Sequence, residues 1–252
     1  MKRLVLASLA IAFAAAPALA ADMPVKAAPP VPPPVYNWTG YYFGGFVGGL
    51  WSTSDSNFVT PPAANIHQTH TSGIGGTFFG AQAQYSWWLV GIEFGVGEPF
   101  SRNFGSGTCS PVASCAAGFT TTETIKNGIF TAGGRLGLAF DRWLIYGAGG
   151  GTFTDFDHTN CTTATCPLET ATGTFKGFYV GGGFDWSVYG GWIVGFEFRH
   201  TQFDTQGLVP INIATRVPNP ADGVLSQLKF NTAVFRLTYL FGAPPLGPTG
   251  FR

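Results

Sequence analysis

Charge is what this sequence has least of. Of its 252 residues only 13 are Lys or Arg and 13 Asp or Glu, 10% together, against about 25% in ordinary soluble domains. A surface dispersed in water carries roughly 25–35% charged residues, so this chain cannot clothe itself for water in the usual way. Beyond the N-terminus it also lacks any run of ~18 uninterrupted apolar residues, which excludes a bundle of spanning helices. Disorder is excluded because aromatic and β-branched residues abound. No polybasic footprint for nucleic acid is present, nor a P-loop, a dinucleotide fingerprint or a GxSxG elbow. What fills the space is 36 Gly, 24 Phe, 8 Tyr and 7 Trp, a composition that suits strands facing lipid.

The first residues carry an address. Lys2 and Arg3 form a positive start, residues 4–16 an apolar core, and Ala18-Leu19-Ala20 a small-residue cleavage pattern. Residues 1–20 therefore read as a secretory signal peptide, and an export context permits disulfides. Its removal leaves 11 basic against 13 acidic residues, a net charge near −2. Residues 21–37 follow as a Pro-rich periplasmic tether, extended and unable to enter a sheet interior.

From Trp38 onward Gly, aromatic and aliphatic residues recur with a period near two. Eight strands are expected, over 38–51, 73–85, 88–99, 122–140, 143–156, 174–186, 192–203 and 227–241. Each is long enough for the 9–11 tilted residues that cross a bilayer. The connections alternate long (52–72, 100–121, 157–173, 204–226) with short (86–87, 141–142, 187–191). Long outer loops and short inner turns characterise an up-and-down barrel with both termini in the periplasm. The expected fold is thus all-β, an eight-stranded antiparallel up-and-down transmembrane β-barrel over 38–241, with a C-terminal tail at 242–252.

Side-chain parity agrees where it can be read. Phe79, Ala81, Ala83 and Tyr85 oppose Gln82 and Gln84; Trp88, Val90, Ile92, Phe94 and Val96 oppose Glu93. Phe130, Ala132, Leu136, Leu138 and Phe140 oppose Asn127, Thr131 and Arg135. The last two strands set Trp192, Val194, Phe196 and Phe198 against Glu197, Arg199 and Thr201, and Phe235, Leu237, Tyr239 and Phe241 against Arg236 and Thr238. Alternate residues of a strand point to opposite faces, so one face is greasy and the other polar. Strands 38–51 and 143–156 are apolar on both parities and their faces stay unassigned. Trp38, Trp87, Trp88, Trp143, Trp186 and Trp192 all fall at the short-turn end, which reads as an aromatic girdle, while Trp51 falls at the other rim. The inverted arrangement, a soluble lipocalin-like carrier, would need a charged outer face that this chain does not have.

Several residues are candidates for chemistry. Glu93, Arg135, Asp185, Glu197, Arg199 and Arg236 share the inward parity and form a balanced lumen charge network. An eight-stranded barrel is only wide enough to be filled by side chains, so a paired plug is favoured over a narrow conduit. Four cysteines in two long connections favour disulfides between Cys109 and Cys115 and between Cys161 and Cys166, with cross-pairing left open. Zinc binding with His158 is the rival, but neither cysteine spacing matches a finger knuckle. His67 and His70 read as solvated loop residues. Catalysis on lipid would have to use His200, yet Gln202 shares its face, Thr201 points the other way, and only Asp204 supplies a nearby carboxylate.

The stretch DMPVKAAPPVPPPVYNWTGYYFGGFVGG, the segment RWLIYGAGGG at 142–151 and the closing VFRLTYLF at 234–241 resemble the porin-like outer-membrane immunogenic proteins of alphaproteobacteria. The resemblance spans essentially the whole mature chain. It implies a small barrel of the OmpA/OmpX-like eight-stranded class, acting in envelope integrity and surface interaction. The sequence departs from such barrels in one respect: GAPPLGPTGFR follows Phe241, where the final strand usually ends the chain on an aromatic residue recognised by the assembly machinery. Either the recognition element is internal or Phe251 replaces it.

The resulting expectation is a monomeric, non-enzymatic barrel of the cell outer membrane without cofactor or metal. Its partners would be outer-membrane lipid and lipopolysaccharide, the barrel-assembly machinery, and a host or surface ligand met through four long loops. Near Phe58, Phe104, Phe119 and Leu208 those loops carry apolar residues suited to contact. The alternatives are a narrow porin for small solutes and, behind it, a lipid A-modifying enzyme.

Overall fold

The computed structural model describes residues 36–58, 65–108, 120–161, 165–220 and 223–242. The signal peptide, the Pro-rich stretch up to residue 35, the Cys109 and Cys115 pair, Phe119 and the tail beyond Gly242 lie outside them. Eight long strands make the wall: β1 (Gly40–Phe58), β2 (Asn65–Tyr85), β3 (Trp88–Pro99), β5 (Thr120–Phe140), β6 (Trp143–Cys161), β7 (Glu169–Tyr189), β8 (Trp192–Phe203) and β11 (Val224–Phe241). Three short strands accompany them: β4 (Asn103–Thr108) on β5, β9 (Gln206–Leu208) on β11 and β10 (Ile211–Asn212) on β7. Each wall strand pairs antiparallel with its successor, and β1 pairs with β11 from Tyr41 opposite Phe241 to Phe58 opposite Val224. The ring is closed. Among the described residues each of the eight wall strands has a wall partner on either side, which is the condition for a sheet to stand in hydrocarbon.

The short connections explain themselves chemically. Ser86, Asp141, Gly190 and Gly191 adopt positive φ, as tight hairpins between right-twisted strands demand. At the third turn both central residues are left-handed (φ 54° and 91°), so two glycines stand there. β7 accordingly runs on to Tyr189, and the expected connection 187–191 shrinks to two residues.

The long connections 52–72 and 157–173 are largely strand. β1 and β2 continue to Phe58 and from Asn65, β6 reaches Cys161, and β7 begins at Glu169. Expectation ended these strands where greasy alternation ended. Above a bilayer the outer face of a barrel can be polar while the ladder and its inward period continue, as Ser52, Ser54 and Ser56 show by all being buried.

The outer wall is apolar. Tyr41, Phe79, Ile145 and Phe235 are 74%, 58%, 59% and 69% exposed, an exposure of large hydrophobic surface that no water-soluble monomer sustains. Strands left unassigned by parity are now fixed: even-numbered residues of β1 and β6, among them Tyr42, Leu50, Leu144 and Tyr146, face inward. One residue departs from its expected face. Asn127 is exposed, not inward, because β5 shifts register against β6 between Ile125 and Asn127 and again between Asn127 and Phe130; each extra residue of a bulge resets the alternation.

Closure by a continuous ladder predicts heat-modifiable migration. Unboiled protein in SDS gels is expected to run ahead of boiled protein, and a single mobility in both lanes would contradict the ring.

Candidate functional site

The six inward charges are brought together midway along the barrel's interior, delivered by β3 (Glu93), β5 (Arg135), β7 (Asp185), β8 (Glu197 and Arg199) and β11 (Arg236). Arg236 lies 2.5 Å from Glu93 and 2.5 Å from Glu197. Arg199 lies 2.6 Å from Glu197 and 3.6 Å from Glu93, which closes a four-membered cycle of alternating sign. Arg135 joins at 3.9 Å from Glu93 and holds Asp185 at 3.4 Å. All are buried except Arg199, which keeps 15% of its side chain exposed.

Aromatic rings clamp the cations. The Arg135 guanidinium sits 4.6 Å from the Tyr42 ring centre and 4.9 Å from that of Tyr146, Arg199 4.2 Å from Tyr179, and Arg236 3.8 Å from Phe78. Ring faces attract such cations, more strongly when water is excluded. The Tyr42 hydroxyl donates to Glu93 (3.1 Å) and the Tyr146 hydroxyl to Glu197 (2.9 Å). Small residues opposite make room for the rings: a Cβ at Gly133 would strike the Tyr179 hydroxyl, and one at Gly183 would press on the Tyr146 ring. These tyrosines escaped sequence reading because their strands are apolar and glycine-rich on both parities.

Below the belt the barrel is stoppered by its own N-terminal segment. Trp38 is fully buried and is therefore not part of the girdle. Its indole Nε1–H donates to the Asp141 carbonyl (2.9 Å), its backbone N–H to Gln84 Oε1 (2.9 Å), and its carbonyl accepts from Gln82 Nε2 (2.6 Å). Gln82 Oε1 in turn accepts from Arg135, so the stopper and the charged belt share one hydrogen-bond chain. Tyr36 packs edge-on against Trp38 at 5.0 Å. A tryptophan at a strand end suits a girdle or a mouth equally in sequence; three satisfied backbone and side-chain bonds pull this one inside. Trp87, Trp88, Trp143, Trp186 and Trp192 stay on the outer face near the short turns, with Trp143 stacked on Trp186 at 5.5 Å.

Above the belt lie an apolar layer including Leu50, Ile129, Phe156, Phe203 and Phe230, and a second polar group that sequence reading left in loops. Ser56 donates to Glu123 (2.7 Å), His158 Nδ1 lies 3.7 Å from the same oxygen, and Gln68 donates to Thr121 (3.2 Å). Asn219, from the last long connection, donates to Glu169 (3.0 Å) across the top. The alternation of Ser52, Ser54 and Ser56 with outward residues was the available signal. Between belt and apolar layer a cavity of about 50 Å³ remains, lined by Glu93, Glu197, Arg199 and Arg236 and by Phe46 and Phe230.

The other candidates are scattered. Cys161 and Cys166 form a disulfide with Cα atoms 4.5 Å apart. His67 pairs with Asp55 (2.6 Å) on the exposed face, and His200 Nδ1 meets Asn231 Oδ1 (2.8 Å). Leu208 is buried against the barrel and offers no contact surface; the side chains of Phe58 and Phe104 lie outside the described residues.

Removing one member of a buried ion pair strands its partner, at about 3–5 kcal/mol, whereas an exposed pair is worth about 0–1 kcal/mol. Arg236→Ala and Arg135→Ala are therefore expected to lower stability far more than Arg102→Ala, whose partner Glu98 is half exposed. Urea unfolding from lipid vesicles measures the difference, and equal losses would contradict an interacting interior.

Comparison with known proteins agrees with this architecture. The chain is 29% identical over 251 residues to the 31 kDa outer-membrane immunogenic protein of Brucella melitensis biotype 1, covering 96% of this chain and 100% of that one. The protein of that name in Brucella suis biovar 1 matches to the same extent. Among solved structures, the outer membrane protein OprG from Pseudomonas aeruginosa shares the fold with a TM-score of 0.56 at 12% identity, over 82% of this chain and 98% of that one. Residues 6–241 match the family described as outer membrane protein beta-barrel domain: the chain is a member of that family, and its closed sheet stands in the outer membrane.

Proposed function

We propose that this barrel is a non-catalytic anchor of the outer membrane, closed to solutes, that contributes to envelope integrity and presents its outer end to surface partners. The observation that carries the closed state is the filled interior. Stopper, charged belt and apolar layer follow one another, and the cavity between belt and apolar layer is small, about 50 Å³. That counts against a narrow porin. Two observations among the described residues count against catalysis: the Ser56 hydroxyl donates to Glu123 (2.7 Å), and His200 is bonded to an amide.

Surface presentation is supported by the last long connection. It is tied down by β9, by β10 and by the Ile213 N–H donating to the Leu168 carbonyl (3.1 Å). Yet Val209, Ile211, Ile213 and Val217 are all exposed. Apolar side chains held out on an ordered extracellular segment mark a contact site. Outer-membrane lipid and lipopolysaccharide would surround the wall, and the barrel-assembly machinery would insert a monomer.

Two measurements test the reading. In planar bilayers the refolded protein is expected to give no steady current steps; reproducible ion-selective steps would establish the porin instead. In cells, Ile211→Asp with Ile213→Asp is expected to reduce attachment to surface or host ligands while heat-modifiable folding is kept. Unchanged attachment would remove this segment from the role.

A further inference from the structure

The two register shifts in β5 open a notch on the outer wall. Lys126 and Asn127 both turn outward there, and the groove of about 550 Å³ that results is lined by the apolar Val96, Phe130 and Phe153 and by the charged Glu98, Arg102, Lys126 and Asp155. Phe130 and Phe153 stack at 5.0 Å with planes 10° apart. Gly128 leaves the groove its depth, since a Cβ there would press on the Gly97 carbonyl oxygen and the Val96 side chain. Phe153 stands ten residues along β6 from Trp143 of the opposite rim, the span of a bilayer-crossing strand of about 9–11 residues. The phenylalanines thus mark the upper edge of the hydrocarbon, and the basic groups sit at headgroup height.

We propose that this notch binds one phosphorylated glycolipid of the outer leaflet, of the lipid A type. An acyl chain would lie on the Phe130 and Phe153 rings and a phosphate between Arg102 and Lys126. The order of chemistries along the membrane normal, apolar and then charged with two bases that keep free donors beside Glu98 and Asp155, suits such a lipid. Both bases are held in place without being used up. Arg102 donates Nη2 to Glu98 (2.8 Å) and Nη1 to the Lys126 carbonyl (3.1 Å), and Lys126 pairs with Asp157 (3.0 Å). Each remains about half exposed, with N–H donors left for phosphate oxygens. Asp155 also borders the groove, but it accepts from Asn127 (2.8 Å) and Thr174 (2.8 Å) and is turned to the polar ladder of β5, β6 and β7. The proposal rests on the envelope reading above and names one of its lipid contacts.

The test is native mass spectrometry of the refolded full barrel with bis-phosphorylated lipid A. One retained lipid is expected for the wild type. Arg102→Gln with Lys126→Gln, and separately Gly128→Leu, should weaken retention by roughly tenfold. Lys229→Gln, on β11 across the ring, should not change it. Dephosphorylated lipid A should bind the wild type as weakly as the double variant binds the intact lipid. Heat-modifiable migration verifies that each variant is folded; if Gly128→Leu is not, the double variant decides. Equal retention by folded variants would overturn the site, and equal binding of phosphatidylglycerol would overturn the choice of a glycolipid. A barrel that conducts or fails to adhere yet shows these losses would leave the lipid site standing.

Discussion

The pairing of β1 with β11 is the constraint from which the rest follows. Eighteen residues of each strand face one another in unbroken register, and through them every neighbouring strand finds its second partner. In hydrocarbon a free strand edge would leave N–H and C=O groups unsatisfied at several kcal/mol each. Closure removes that cost, but it also fixes the circumference at eight long strands. A ring so narrow has an interior that side chains must fill, and its contents then have to be mutually compatible. The charged belt answers that demand: three arginines and three carboxylates leave no net charge, and tyrosine hydroxyls and ring faces add further partners to the carboxylates and guanidiniums.

The same narrowness couples parts that are far apart in sequence. The Trp38 carbonyl, Gln82, Arg135 and Asp185 form one chain of polar contacts from the mouth at the short-turn end to the belt. Losing the stopper would leave Gln82 without one acceptor and so disturb the carboxamide that orients Arg135. Mouth and belt are for that reason one polar assembly, while the apolar layer around Phe156 and Phe230 isolates them from the Glu123 and His158 group above.

How much of this the sequence showed depended on contrast. A lone charge between apolar neighbours stands out, so Glu93, Arg135, Glu197, Arg199 and Arg236 could be assigned to the inner face before any coordinates. Tyr42, Tyr146 and Tyr179 could not, because glycine and aromatic residues occupy both parities of their strands and period two loses its signal. Trp38 misled for a different reason: indole suits an interface and an apolar mouth alike, and only the hydrogen bonds to Asp141 and Gln82 decide between them. Asn127 misled because a bulge inserts residues without altering composition. The upper polar layer was hidden by an assumption, that strands end where lipid ends.

That assumption fails for a physical reason visible on the outer wall. Along β6 the outward residues pass from Phe153 to Asp155 and Asp157, along β5 from Phe130 to Asn127, and along β7 from Phe178 to Lys176 and Thr174. The change falls near one level on three adjacent strands, as a lipid boundary requires, whereas on β6 and β7 the inward residues show no corresponding break and the ladder continues past it. Solvent therefore dictates only the outer parity. The inner parity answers to packing across the ring, which carries on above the bilayer through Ser56, Glu123 and His158. Two alternating patterns with different endpoints are superposed on each strand, and a strand's true length is read from whichever persists longer.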